Sequence, residues 1–306
     1  MQIALDIQRR RFDHTLANYR TEIPQPIQQP SRALSLLEAW DMWAAQSGAK
    51  ISTARTHHKY IRRAIAASLL DVNLSSTIYN RRLAAIKKAR KWAIAEGYDV
   101  RSHKLIALTP KKHRTKPVQP FSLSDLKKLA EVVKATAPHY LDFTLFLVIS
   151  ACRFGEVAAL QGQNIQVEPP EITIGATLSR ADDSWQYERK PYTKNGVVHV
   201  LYSQQLVEIV LRQDTLEDGR YVFTSVRGKP VDYTYYRRTV WIPALERAGL
   251  TYRKLHTTRH TALSMALEDG LSPRQVADIA GHKNAVQVNK TYAHVINKAK
   301  VPEIEL

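Results

Sequence analysis

Apolar residues recur three and four positions apart over most of the chain, the spacing of amphipathic helices. From Ala33 to about Leu108 this period dominates, with Leu36, Leu37, Trp40 and Trp43 on one predicted helix and Tyr60, Ile61, Ile65 and Leu69 on the next. A third, Thr77 to Glu96, turns Ile78, Leu83, Ile86 and Trp92 inward and Arg81, Arg82, Lys87, Lys88, Arg90 and Lys91 outward. A second set opens at Phe121, where Ser122 to Asp125 reads as a helix cap leading through Lys134,. Tyr140 to Ala151 is apolar nearly all round and is predicted to be buried,. Strand periodicity follows over Glu171 to Leu178, Trp185 to Tyr192 and Val197 to Tyr202. Asn195-Gly196 between the last two predicts a hairpin with Lys194 at its tip,. Helices resume after Ser203, with Tyr235 to Ala248 leading towards the C-terminal stretch. The pattern predicts a mainly α chain with a small antiparallel β-sheet.

The stretch from Leu255 to Tyr292 carries the densest helix punctuation. Leu255, Ala262, Leu263, Ala266 and Leu267 keep helical spacing until Gly270, so His256 and Arg259, three apart, are expected on one face,. Ser272, Pro273 and Gln275 supply an N-cap, a first-turn proline and a capping-box partner,. That second helix is expected to end at Gly281, leaving His282 at its exit, with Tyr292 on a third,. Upstream, Arg153 follows the buried helix, where an unpaired arginine is costly, so Glu156 or a bound anion is its expected partner,. Taken singly, each residue has an ordinary structural explanation, and Gly270 to His282 also passes for a helix-turn-helix. Their joint occurrence is what points to a phosphate.

Charge sharpens this. The 306 residues hold 45 Lys and Arg against 28 Asp and Glu, a net +17, which favours a polyanionic partner, nucleic acid before an anionic membrane,. No run approaches the roughly 18 apolar residues of a membrane span, and a soluble intracellular protein is expected. Between Arg81 and Lys116 twelve basic residues face only Glu96 and Asp99, a local +10. Lys111, Lys112, Arg114 and Lys116 within it stand beside Pro117 and Pro120, as in an extended basic linker,. The expected organisation is an N-terminal segment over 1–33, a helical domain over 34–108, the linker over 109–120 and a larger domain over 121–306. The single cysteine, Cys152, excludes an internal disulfide and reads as core,.

The motifs A-C-R-F-G-E, T-K-N-G, H-T-T-R-H, A-G-H and T-Y-A-H-V, in that order from Phe121 to about Val295, resemble the tyrosine recombinases, the phage-integrase class of site-specific DNA recombinases. Ser76 to Tyr98 resembles the last helices of that family's core-binding module. The resemblance implies a two-domain clamp on double-stranded DNA, a cytoplasmic, nucleoid-associated enzyme of bacterial or phage origin, and a homotetramer at a specific recombination site of a mobile element. It implies that Arg153 and Arg259 hold the scissile phosphate, that Tyr292 attacks it and that His256, Lys194 and His282 complete the site, His256 as base and Lys194 as acid. Lys190 is the alternative lysine. A 3′-phosphotyrosine intermediate keeps the bond energy, so no metal or nucleotide cofactor is expected. His282 to Tyr292 spans ten residues, one more than the family's commonest spacing. Only about thirty residues precede the helical domain, where family members often carry an arm-site-binding domain. Three rivals remain: a DNA-binding regulator without catalysis, a type IB topoisomerase and a general polyanion binder.

Overall fold

The computed structural model describes residues 33–47, 51–66, 74–100, 108–112, 119–180, 187–193, 196–213 and 216–292. The chain divides into two compact units, Met1–Thr115 and Lys116–Leu306, a division that falls within the basic segment 109–120.

The first unit holds β1 (Ala33–Leu34), α1 (Leu36–Gln46), α2 (Ile51–Ala66), α3 (Ser76–Ala95) and β2 (Asp99–Val100), with β1 parallel to β2. Ser35 and Glu38 form a capping box that starts α1,. The three helices pack around Trp40, whose indole nitrogen donates to the Ala54 carbonyl at 2.9 Å, with Ile61, Ile86, Ala89 and Ala93. Two sequence expectations fail on α3. Ile78, expected inside, is 41% exposed, and Arg82, expected outside, is 8% exposed. The buried stripe runs Tyr79, Arg82, Leu83, Ile86, Ala89 and Ala93. Steps of three and four from Tyr79 therefore place Arg82 on it and leave Ile78 one position off. Ile65 and Leu69 lie outside the residues whose side chains are described.

The second unit begins with α4 (Leu123–Thr136), capped by a Ser122–Asp125 box as the sequence predicts. A 3₁₀ turn, Pro138–Tyr140, leads into α5 (Leu141–Ile149), whose Phe143 and Phe146 pack with Phe223 and Tyr236 at the centre of the core. After the break at Ala151 and Cys152 comes α6 (Phe154–Val157), laid against the strand Thr177–Arg180 so closely that a Cβ on Gly155 would sit 2.6 Å from the Leu178 carbonyl.

Strands β3 (Ile165–Gln166), β4 (Glu171–Ile174), β5 (Thr177–Arg180), β6 (Tyr187–Lys190) and β7 (His199–Tyr202) form two antiparallel sheets, β3-β4-β7 and β5-β6. This corrects the predicted hairpin. Gly175 and Ala176 interrupt the first predicted strand, so β4 pairs with β7, Ile174 opposite His199, while β5 pairs with β6, Thr177 opposite Lys190. The segment with Asn195-Gly196 thus links two sheets instead of two paired strands. Gly196 N–H donates to the Thr193 carbonyl at 3.0 Å, and Lys194 and Asn195 between them lie outside the described residues.

Next come α7 (Gln204–Leu211), then α8 (Tyr233–Tyr236), a π-helical stretch over Arg237–Trp241 and α9 (Ile242–Arg247), end to end. Pro243 has no N–H for the helical ladder, and the widened π turn precedes it,. The last three helices are α10 (His256–Glu268), α11 (Pro273–Ile279) and α12 (Val286–Tyr292), with the predicted Ser272–Gln275 capping box on α11. Leu263, Leu267, Val276, Ala277, Val288 and the Tyr292 ring bury one another between them. No described helix is long and apolar enough to cross a membrane.

Candidate active site

The break after α5 places the first arginine. Ala151 has a left-handed φ of 56°, rare for a residue with a Cβ,. Arg153 follows in extended conformation as the residue before α6, and its backbone N–H donates to Glu156 at 2.8 Å. Its Nη1 donates to the other Glu156 oxygen at 2.6 Å. Glu156, the partner expected from the sequence, is 2% exposed.

Arg259 comes from α10 and is 3% exposed. Its Nη1 donates to the Ala151 carbonyl at 2.8 Å, and its Nη2 donates to the Ala280 carbonyl at 2.6 Å and to His282 Nε2 at 3.0 Å. Nη1 also lies 3.9 Å from Glu156. One carboxylate therefore serves two guanidiniums, and a unit of positive charge remains uncompensated in a largely dry site. Burial, then the Arg153 charge, draws the Arg259 pKa down.

His282 follows Gly281, which takes the predicted left-handed turn with φ 59°. A Cβ at Gly281 would stand 2.5 Å from His199 Nδ1, so glycine is required there for space as well as for conformation,. Burial and the neighbouring Arg259 and Arg153 push the His282 pKa down to about 4. The ring is then neutral near pH 7, its Nε2 accepts from Arg259, and the proton sits on Nδ1, which is buried without a partner,.

Tyr292, at the end of α12, is 4% exposed. Burial pushes its pKa up to about 12, against the pull of Arg259. Its hydroxyl is 2.7 Å from His260 Nδ1. His256, expected to share a face with Arg259, is instead exposed at the first position of α10 while Arg259 points inward. The His256 ring stands edge-on to His260, centroids 5.1 Å apart.

The structure thus gathers Arg153, Arg259 and His282, brings Tyr292 within the field of Arg259, and sets His256 one ring away from the tyrosine's partner. Lys194 is outside the described residues. Lys190 lies on β6, 3.8 Å from Glu188. Two histidines go beyond what the sequence reading assigns. His199, buried with neither ring nitrogen partnered, faces inward at the start of β7, a polar residue on the buried side of an alternating strand. His260 stands four positions after His256, the spacing that stacks side chains on a helix. Cys152 is wholly buried and its thiol pushed up to about 12, as expected of a core residue.

The basic residues of the first unit are distributed unevenly. Arg81, Lys87, Lys88 and Lys91 are exposed on α3, Arg90 is half-buried, and Arg82 is buried with its Nε unpartnered. Lys88 lies 4.0 Å over the Trp43 ring and Lys111 4.7 Å over Tyr79. Asn80 holds the Lys111 backbone with two 2.9 Å hydrogen bonds, and Lys112 beside it is exposed. Arg114 and Lys116 are outside the described residues.

The architecture has counterparts of known structure. The Tn1549 transposon integrase in complex with transposon right end DNA aligns over 85% of this chain and 95% of its own, with TM-score 0.69 at 16% identity. Lambda integrase residues 75–356, bound to DNA, align over 88% of this chain and 100% of theirs, with TM-score 0.58 at 17% identity. At these identities the likeness is one of fold: a two-domain, mainly helical recombinase architecture. Among sequences, a tyrosine recombinase XerC-like protein of Caldanaerobacter subterraneus is 27% identical, over 72% of this chain and 63% of that protein. The integrase of Staphylococcus phage L54a is 23% identical, over 86% of this chain and 89% of the phage protein. Residues 111–298 match the phage integrase family, to which the chain belongs; of these relatives one is named a tyrosine recombinase and the other an integrase.

Proposed function

We propose that this chain cleaves and rejoins double-stranded DNA at a specific attachment site through a covalent 3′-phosphotyrosine, in the integration or excision of a mobile element. The observation that carries the reading is the Arg153–Glu156–Arg259 cluster, two guanidiniums on one buried carboxylate with a tyrosine hydroxyl in the same field. Three of the five N–H donors of Arg259 are directed at protein acceptors,. The other two, with the free part of Arg153, suit the non-bridging oxygens of a phosphodiester and the charge that builds on them in the transition state. The guanidiniums are fixed before substrate arrives, so they do not reorganise during the reaction. His282 carries its proton on Nδ1, a donor for another phosphate oxygen. His256 is exposed at the start of α10 to the same ligand. Tyr292 attacks phosphorus, the O5′ bond breaks, and Lys194 delivers the proton that makes O5′ a competent leaving group. Attack by a 5′ hydroxyl of another strand reverses the sequence.

The exposed cations of α3 and the basic segment through Lys116 are read as phosphate contacts on a DNA clamp. Lambda integrase has been solved as a dimer bound to a core site. A higher assembly here, a homotetramer, draws support from an apolar groove of about 600 Å³ lined by Leu123, Leu126, Leu145, Val148, Ala262 and Met265. It is suited to the tail residues Val295, Ile296, Val301 and Ile304 of a second copy. Deleting 299–306 or introducing Met265→Lys is expected to abolish synapsis of two sites while single-site binding survives.

The primary test is a nicked duplex carrying a candidate attachment site, incubated with wild type and with Tyr292→Phe and run on a denaturing gel. A covalent band with wild type alone is expected. A band with both makes Tyr292 the wrong nucleophile. No band with either, while both shift the site on a native gel, favours a DNA-binding regulator.

A further inference from the structure

We propose that His260 is the proton acceptor for the Tyr292 hydroxyl during strand cleavage and the donor that returns this proton on rejoining, an assignment that rests on Tyr292 being the nucleophile. The geometry is direct. His260 Nδ1 and the Tyr292 oxygen are 2.7 Å apart, within the reach a general base needs, and the two rings pack with centroids 5.8 Å apart,. His256, the base expected from the motif, lies beyond His260 at the exposed start of the helix.

The charges that face His260 agree with the role. They are Tyr292 from α12, and Arg259 and His256 on its own helix. Burial, then the Arg259 charge, draws the His260 pKa below 6.5, so the ring is neutral near pH 7. With its proton on Nε2, it offers the Nδ1 lone pair to the hydroxyl. Tyr292, held near 12, does not ionise unaided, so its proton leaves as the O–P bond forms. The O–H electron pair stays on the tyrosine oxygen, which bonds to phosphorus, and the proton passes to His260 Nδ1. The P–O5′ bond breaks with its pair on O5′, which takes a proton from the acid assigned to Lys194. On rejoining, the imidazolium returns its proton as the tyrosine oxygen leaves. His256, edge-on at 5.1 Å and exposed, stands where that charge meets solvent.

The test is single-turnover formation of the covalent complex on the nicked duplex by the full chain, from pH 5 to 9. His260→Asn keeps an acceptor near the Nδ1 position without a base, and His260→Ala removes both. Each is expected to slow cleavage by about 100-fold or more, with site binding on a native gel retained. Wild type is expected to lose rate as the pH falls through the lowered His260 pKa, on the acid side of the ordinary histidine range, and the variants to lack that fall,. A duplex with sulfur at the bridging 5′ position, whose thiolate leaves without protonation, is expected to rescue Lys194→Ala and to leave both His260 variants slow. His260→Asn at the wild-type rate with the acidic fall intact, or rescue of the variants by sulfur, overturns the assignment. Should the variants fail to fold, the wild-type profile decides against His256→Ala: persistence of the acidic fall supports His260, and its loss overturns the proposal. A covalent band with Tyr292→Phe removes the parent reading instead.

Discussion

Two buried arginines, Arg82 on α3 and Arg259 on α10, show how differently the two units treat charge. Arg82 is buried within an apolar stripe, its Nε has no partner, and Arg81, Lys87, Lys88 and Lys91 on the same helix are exposed. Arg259 is more deeply buried, yet it is tied to two carbonyls, a histidine and the carboxylate that also holds Arg153. A solitary buried charge stays there only because a long side chain can lay its stem against the core. A charge inside a network is preorganised, and its removal strands other charges. The first unit thus resembles a surface for phosphates at large, and the second a socket for one.

Breaking the network carries the largest effects. Arg259→Ala is expected to lower single-turnover cleavage by about 10³-fold or more, since one preorganised cation at the reacting phosphate is removed. Glu156→Ala leaves two guanidiniums facing each other with no carboxylate, and about 3–5 kcal/mol of stability should disappear in denaturant titration. An unchanged midpoint for Glu156→Ala would mean that the cluster is not coupled. Next in size is Gly281→Ala. The left-handed turn costs an alanine about 1 kcal/mol, and the new methyl meets His199 at 2.5 Å. A total loss of about 2–4 kcal/mol is expected, with displacement of His282 and a fall in cleavage. Adding His199→Ala should recover the part owed to the steric clash and leave the backbone part.

Much of this site is legible in the sequence because its residues sit at helix punctuation. Ser272, Pro273, Gln275 and Gly281 specify a helix of fixed length, and so fix where His282 emerges. Arg153 stands out because an arginine shortly after a nearly all-apolar helix needs an anion, and Glu156 lies three residues away. What the sequence does not disclose depends on packing between elements. Whether His256 or His260 meets Tyr292 is decided by how α12 lies across α10, which no local period encodes. The Asn195-Gly196 signal reads as a paired hairpin unless the interruption at Gly175-Ala176 is recognised, and that interruption hands β4 to one sheet and β5 to another. The strand that carries His199 follows from alternation, but the face it turns to Gly281 does not.

A smaller effect follows from the depressed His282 pKa. The unfolded imidazole binds its proton near pH 6.5 and the folded one near pH 4, so between these values the unfolded state holds more protons,. Stability contributed by this group is therefore complete above about pH 6.5 and declines as the pH falls towards 4, by at most about 1.4 kcal/mol per pH unit. Thermal denaturation of wild type against His282→Gln across that window is expected to show a shallower decline in the variant. Parallel curves would place the titrating group elsewhere.

The smallest expected effect is the sharpest test of the comparison, because it concerns an arginine that the sequence alone assigns to the DNA-facing set. Removing Arg81, Lys87 or Lys91 should reduce the slope of log affinity against log salt by about 0.9 for each phosphate no longer neutralised. Arg82 is buried on the same helix, so Arg82→Met should leave that slope unchanged. Replacing a buried, partly unpartnered cation by an apolar side chain of similar length should leave stability within about 1 kcal/mol of wild type, or raise it. If Arg82→Met instead lowers the salt slope as Arg81→Ala does, α3 turns its buried face outward on DNA, and the contrast between a general phosphate surface and a single socket no longer holds for the first unit.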